Sequence, residues 1–426
     1  GISGDKLEPN IGSYDFWILK LDSLGNIVWQ NTIGGTSSDI LYDIIQTSDE
    51  GYILAGTSYS ELTGDKTESS LGDSDYWVVK IDAVGNITWQ NTIGGNRFDV
   101  LYSIKQTIDG GYILGGSSNS EISEDKTETC ILRPDFLPTT DYWVVKINAF
   151  GTVEWDEVIG GNWDDVLLDI EICVDGSYIL GGRSKSEISY DKTENSYGLY
   201  DYWIVKINNL GIIEWQKTLG GTSEDYFTAA AYTFNKGYIV TGYSLSGISG
   251  NKTDPNIGLD DNWIVRLDSV GNIVWQTVIG GSDSDRPYSI LQTPDGGYIT
   301  GGWSGSDMSA TKSENNIGNS DYWIIKFYPD EDCITSTFYA DLDGDGFGNS
   351  LEPVITCYLP TGYVSNNTDC NDLNATINPD AIETCNLIDD DCNFIIDDGL
   401  PIYNYYYDSD EDGYGDILLE INTCID

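Results

Sequence analysis

Residues 75–95 read DYWVVKIDAVGNITWQNTIGG, and this stretch decides the fold because it keeps returning. Trp17, Trp77, Trp143, Trp203, Trp263 and Trp323 recur about every sixty residues, and Trp29, Trp89, Trp155, Trp215 and Trp275 each lie twelve residues after one of the first five. Self-similarity at such a period marks one supersecondary unit copied along the chain. The other half of the unit is VLYSIKQTIDGGYILGGSS at 100–118. Short runs rich in Val, Ile, Tyr and Trp, broken by Asp-Gly-Gly, Gly-Asn and Gly-Gly, mark strands joined by tight turns. Val100 to Thr107 and Gly111 to Ser118 form one hairpin over Asp109-Gly110, and Tyr142 to Asn148 and Val153 to Ile159 a second over Phe150-Gly151. No run sustains a helical apolar period.

Four antiparallel strands per unit, repeated around an axis, describe a β-propeller, whose blades are buried on both faces. Tyr76-Trp77-Val78-Val79 fits that burial, since its apolar residues point both ways. The expected fold is all-β: a β-propeller of four-stranded blades, five or six in this chain, plus a small, loop-rich, disulfide- and Ca²⁺-stabilised C-terminal region. A β-solenoid fits less well because its coils are shorter than this period.

Positions that repeat in every unit are expected to be scaffold. Asp39, Asp99, Asp165, Asp225 and Asp285 each lie four residues after a Gly-Gly pair, a spacing that suits acceptance of backbone amides at a turn. Tyr52, Tyr112, Tyr178, Tyr238 and Tyr298 head the Gly-rich strand, whose glycines give room for close backbone approach. The tryptophans pack one blade on the next. Lys66, Lys126, Lys192, Lys252 and Lys312 recur in the long loop of each unit and are expected to pair with acids that pin that loop. One such loop carries Cys130, and Cys173 follows in the next unit, leaving a disulfide between them open. These units resemble the delta-60 propeller repeats of secreted bacterial proteins over residues 1–330, which implies a fold and an extracellular setting but no chemistry.

Composition narrows the partners. The 426 residues carry 20 Lys plus Arg against 70 Asp plus Glu, a net charge of -50, so nucleic acid and anionic membranes are excluded by repulsion. Histidine is absent, which removes the usual proton shuttle and the commonest transition-metal ligand. No apolar run is long enough to cross a bilayer. GISGDKLEPNIG at 1–12 matches GISGNKTDPNIG at 247–258 at nine of twelve positions, so the chain is expected to open inside a unit, with more upstream.

Near residue 330 the character changes, giving a second region at 331–426 in which cysteines and Asp-Gly runs replace tryptophan. Asp341, Asp343 and Asp345, then Gly346, Phe347, Asn349 and Glu352, satisfy the twelve-residue EF-hand loop pattern, with Phe347 offering its carbonyl and Glu352 both carboxylate oxygens. The flanks look extended rather than helical. Asp372, Asn374, Thr376, Asn378 and Glu383 reproduce the spacing with fewer charges, and Asp389, Asp391, Asn393 and Asp397 resemble the thrombospondin type 3 pattern. Asp408, Asp410, Asp412, Tyr414 and Asp416 repeat the first loop, but Leu419 stands at its twelfth position. Oxygen-only donors at these spacings suit Ca²⁺.

The order of acids, glycines and Cys357, Cys370, Cys385 and Cys392 across 339–399, restarting at Tyr407, resembles the MopE-like metal-binding repeat of bacterial surface proteins. That family is named for a copper-binding member; without histidine, only Ca²⁺ carries over. Eight cysteines in an acidic chain point to an oxidising, extracellular setting. The expected pairs are Cys357 with Cys370 and Cys385 with Cys392, while Cys424 awaits a partner beyond Asp426.

The functional expectation is a non-enzymatic secreted or cell-surface protein, a propeller interaction and adhesion scaffold followed by a Ca²⁺-binding spacer. Its partner is an unidentified protein or glycan at the cell surface. A carbohydrate-binding propeller using Trp163 and Trp303 is the alternative. A polysaccharide-active enzyme comes last, because no acidic site looks unique to one blade.

Overall fold

The computed structural model describes residues 4–135, 137–327, 336–356, 359–418 and 420–424. The chain forms two compact units, one of Gly1–Gln292 with Ile299–Lys326 and the other of Thr293–Tyr298 with Phe327–Asp426. All regular structure among the described residues is β.

The first unit is a series of antiparallel sheets. Strands Asp39–Gln46, Tyr52–Ser58, Asp75–Ile81 and Ile87–Ile93 lie side by side in chain order, and the same four-stranded order restarts at Asp99, Asp165 and Asp225. A two-stranded sheet, Phe16–Leu21 with Ile27–Ile33, precedes them, and a three-stranded sheet beginning at Asp285 follows. The expected turns are present: Gly110 and Gly151 take φ of 82° and 86°, the left-handed conformation that glycine adopts without steric cost. Each first strand is bulged at one place, between Leu41 and Asp43, Leu101 and Ser103, Leu167 and Asp169, and Phe227 and Ala229. A bulge re-aims the side chain beside it, and here it does so at one position in each of the four four-stranded sheets.

Burial of both faces explains why alternation is weak. All seven residues of Asp75–Ile81, Asp141–Ile147, Asp201–Ile207 and Asp261–Leu267 are buried. Successive sheets meet aromatic to aromatic: the Tyr76 ring lies 4.7 Å from Trp143, Tyr142 4.9 Å from Trp203 and Tyr202 5.0 Å from Trp263. The same tyrosines donate O–H bonds to the next sheet, from Tyr76 to the Trp143 carbonyl at 2.9 Å and from Tyr142 to the Trp203 carbonyl at 2.9 Å. Gly116 lies where a Cβ would come 2.0 Å from the Val100 oxygen and 2.6 Å from the Tyr76 hydroxyl, so the Gly-rich strand clears the hydroxyl that ties the sheets together.

The recurring aspartates do accept backbone amides. Gly35, Gly95, Gly161, Gly221 and Gly281 donate to Asp39, Asp99, Asp165, Asp225 and Asp285 at 2.6–2.7 Å. The recurring lysines differ from expectation. Lys66, Lys126, Lys192, Lys252 and Lys312 are buried; Lys66, Lys252 and Lys312 donate to the Ser60, Ser246 and Ser306 carbonyls at 2.8, 2.8 and 2.7 Å, and Lys192 to the Thr218 hydroxyl at 2.8 Å. Lys126 and Lys192 also lie over Trp143 and Trp203 at 4.9 and 5.0 Å. A buried ammonium satisfied by fixed dipoles and an aromatic face closes its loop without a carboxylate.

In the second unit short strands Ser336–Ala340, Pro353–Thr356 and Tyr363–Val364 form one sheet, and Ile402–Tyr406 pairs with Glu420–Cys424. Two disulfides join Cys370 to Cys392 and Cys385 to Cys424. These correct the expected Cys370 and Cys385 pairings, and Cys424 needs no partner beyond the chain; Cys357 lies outside the described residues. The expectation counted loop closures between neighbouring cysteines, whereas the fold brings together sulfurs 22 and 39 residues apart. Cys130 and Cys173 are buried free thiols, so the bond left open between them is not made.

Candidate metal centre

Gly344 and Gly346, with φ of 81° and 95°, turn the chain tightly enough to bring alternate aspartates together. Asp341 accepts the amides of Gly344 and Gly346 at 2.8 and 3.2 Å, Asp343 that of Asp345 at 3.3 Å, and Asp345 that of Phe347 at 2.9 Å. The later segment docks onto this loop. The Asp369 amide donates to the Gly348 carbonyl at 3.3 Å, and the Leu342 amide donates to Asp372 at 2.9 Å.

This docking gathers carboxylates from both segments. Asp341, Asp343 and Asp372 present oxygens within 4.8 Å of one another, and so do Asp343, Asp345 and Asp369. One oxygen each of Asp343, Asp345, Asp369 and Asp372 is buried without any hydrogen-bond donor. Asp369 and Asp372 are 9% and 6% exposed. A buried anionic oxygen without a donor is costly, and bound cations are the groups that would satisfy these oxygens. Burial raises the Asp343 and Asp369 carboxyls above their ordinary values, with neighbouring aspartates adding to it.

A third group combines Glu383, Asp389 and Asp391 within the same span. Glu383 is 8% exposed; one oxygen accepts the amides of Asp390 and Asp391 at 2.7 and 3.0 Å, while the other has no donor. The expected middle loop is therefore divided. Asp372 joins the first loop, Glu383 joins the third group, and Asn374 and Asn378 accept amides of their own turns from Thr376 and Asp380. Asn393 donates to Asp389 and Asp391, and Asp397 accepts the amides of Asn386 and Leu387 at 3.0 and 3.1 Å. Asn349 accepts from Leu351, and Glu352 is exposed. In the final loop Asp408 accepts the amides of Asp412 and Gly413, and Asp412 that of Tyr414; Asp410, Asp412, Tyr414 and Asp416 are exposed. Leu419 lies outside the described residues.

Asp369 is the ligand candidate that loop spacing missed. Its signal was adjacency to Cys370, whose disulfide to Cys392 anchors that segment.

The first unit also holds charged residues that do not repeat. The bulged first strands line a cavity of about 300 Å³ that contains Asp43, Lys105, Asp169 and Glu171. Lys105 pairs with Glu171 at 3.1 Å, and burial pushes the Glu171 carboxyl up to about 7 despite that partner. Asp43, Ser103 and Asp169 accept the amides of Ile104, Ile170 and Ala230 in the next sheet at 3.0, 3.3 and 3.0 Å. This stitching stops at Ala229, which has no acceptor. Acids confined to particular sheets thus exist, contrary to the expectation, and a comparison of the five strands at this one position would have found them. Trp163 and Trp303 carry cations over their rings, Arg133 at 4.3 Å and Arg286 at 5.5 Å.

Residues 369–398 match the MopE family described as "Putative metal-binding motif". Regulatory protein FlaEY of Caulobacter vibrioides is 24% identical over 182 residues, 42% of this chain and 19% of that protein. The chain thus spans about a fifth of that relative's length. Similar solved structures include a Synechocystis apocarotenoid oxygenase mutant, 12% identical over 68% of this chain and 62% of that one with a TM-score of 0.37. Kuenenia stuttgartiensis hydrazine synthase is 10% identical over 61% and 73%, with a TM-score of 0.32. Both are enzymes, and the expectation of a non-enzymatic protein is withdrawn; similarity at this level assigns neither a fold nor an activity. No helix among the described residues is long and apolar enough to cross a membrane.

The donors fit a hard divalent cation. They are carboxylate oxygens, the cysteines beside them are in disulfides, and the chain has no histidine. Imidazole and thiolate, the ligands that usually select copper, are absent from these carboxylate groups.

Proposed function

We propose that the chain is a secreted or cell-surface scaffold in which a β-propeller, built from the repeated sheets and akin to delta-60 repeats, presents loops to a protein or glycan partner. A module rigidified by Ca²⁺ follows it. The observation that carries this reading is the set of buried, donorless oxygens on Asp343, Asp345, Asp369 and Asp372. Ca²⁺ takes six to eight oxygens in flexible geometry and suits carboxylate-rich loops of this spacing. Disulfides and weak Ca²⁺ sites both persist outside the cell, where the environment is oxidising.

Binding and folding of this module are coupled, since the ion cancels repulsion that otherwise opposes closure. Limited proteolysis of the whole chain, with and without a chelator, tests the reading. Chelation should accelerate cleavage within 336–424 by tenfold or more on the order of magnitude expected for a ligand-stabilised fold, while the repeat sheets resist as before. Equal cleavage in both conditions would sink the proposal.

A further inference from the structure

We infer that the cluster centred on Asp343 holds two divalent cations of the calcium class that share the Asp343 carboxylate, with Asp369 taking the ligand role that loop spacing gives to Glu352. This rests on the calcium reading above and specifies its stoichiometry.

The argument begins with span. Oxygens around one Ca²⁺ sit about 2.3–2.6 Å from it, so two ligands of one ion are at most about 5 Å apart. Asp341, Asp343 and Asp372 meet that limit as one triad, and Asp343, Asp345 and Asp369 meet it as another. Asp343 alone belongs to both triads. It has two oxygens, one accepting the Asp345 amide and one buried without a donor.

Charge favours the pair as well. Five aspartates meet here, so one dication leaves three negative charges and two leave one. Each triad also supplies a buried oxygen from the later segment, on Asp372 in one and on Asp369 in the other. The two ions would therefore fasten that segment to the first loop at two points, on either side of Cys370 and its disulfide. Glu352 is exposed, and its backbone amide and carbonyl serve Asn349 and Ala340. With Asp369 in the second triad, the twelfth position has no vacancy to fill.

Sharing one carboxylate couples the sites. The first ion orients Asp343 and fixes the docked segment, so the second finds its ligands placed.

Native mass spectrometry and calorimetric titration of the decalcified full chain with CaCl2 test this by difference, so ions bound elsewhere cancel. Asp343→Asn should remove two bound ions, Asp369→Asn and Asp372→Asn one each, and Glu352→Gln none. Loss of a single ion in Asp343→Asn, or loss of one in Glu352→Gln, overturns the shared pair while leaving calcium binding intact. A wild-type chain that takes up no Ca²⁺ overturns the reading beneath it. Energy transfer from Tb³⁺ to Nd³⁺ in the unmutated chain gives a check independent of variant folding. Strong quenching is expected for ions bridged by one carboxylate, and unquenched Tb³⁺ emission would overturn the pair.

Discussion

At the scale of single residues, three of the interfaces between sheets concentrate in one tyrosine and one tryptophan each, and Phe16 takes the tyrosine's place against Trp77. Trp203 is fully buried with the Tyr142 ring 4.9 Å away, so Trp203→Ala should cost about 3–5 kcal/mol, read as a lowered denaturation midpoint. Tyr142→Phe keeps the ring and removes only the O–H bond to the Trp203 carbonyl, so its cost should be about 1 kcal/mol, more if the carbonyl stays unsatisfied. Trp17, at the chain's first sheet and 39% exposed, should tolerate alanine better than Trp203; equal losses at both would contradict the interface account. The aspartates after each Gly-Gly were legible because their partners lie four residues back in sequence. The loop lysines were not. Their partners include a tryptophan from a later strand, as Lys126 over Trp143 shows, and charge alone pointed to carboxylates instead.

At the scale of elements, loop spacing puts Asp341, Asp343 and Asp345 on one turn but cannot say which distant carboxylates join them. Asp369 and Asp372 arrive through backbone bonds from Asp369 to Gly348 and from Leu342 to the Asp372 side chain, contacts between segments that no local pattern encodes. For the same reason the contiguous spacing from Asp372 to Glu383 looked like a loop and is divided between two clusters. Disulfide topology is equally non-local. The Cys385–Cys424 bond closes 39 residues of sequence, so replacing both cysteines with serine should destabilise the second unit by about 4 kcal/mol through a freer unfolded chain. The first unit's unfolding transition should be unmoved. A shared loss in both transitions, followed by calorimetry, would show instead that the two units unfold as one.

At the scale of the whole molecule, four sheet junctions of the first unit bury aspartates near a lysine, at Lys66, Lys126, Lys192 and Lys252, and this predicts an unusual dependence of stability on pH. Burial pushes the Asp165 carboxyl up to about 6 and Asp201 to about 7, and raises Asp75, Asp99, Asp225 and Asp261 as well. In the unfolded chain such carboxyls titrate near 3.9. Between about pH 4 and 7 the folded state therefore holds more protons than the unfolded one, and stability must fall as pH rises. The lysines act in the opposite sense. Burial lowers Lys66, Lys126 and Lys252, and takes Lys192 down to about 8, below the roughly 10.4 of the unfolded chain. From about pH 8 to 10 the unfolded state holds the extra proton, so stability climbs again. The first unit should thus be least stable near pH 7–8, its melting temperature higher at pH 5 and at pH 9.5, measured with chelator present so that metal occupancy does not vary. Lys192→Met should reduce the alkaline rise, because it removes one of the four lysines whose deprotonation drives it, the one taken down to about 8. A single maximum near neutrality in the unmutated chain would mean that these buried groups keep their ordinary affinities for protons, and that the junctions are wetter than their packing implies.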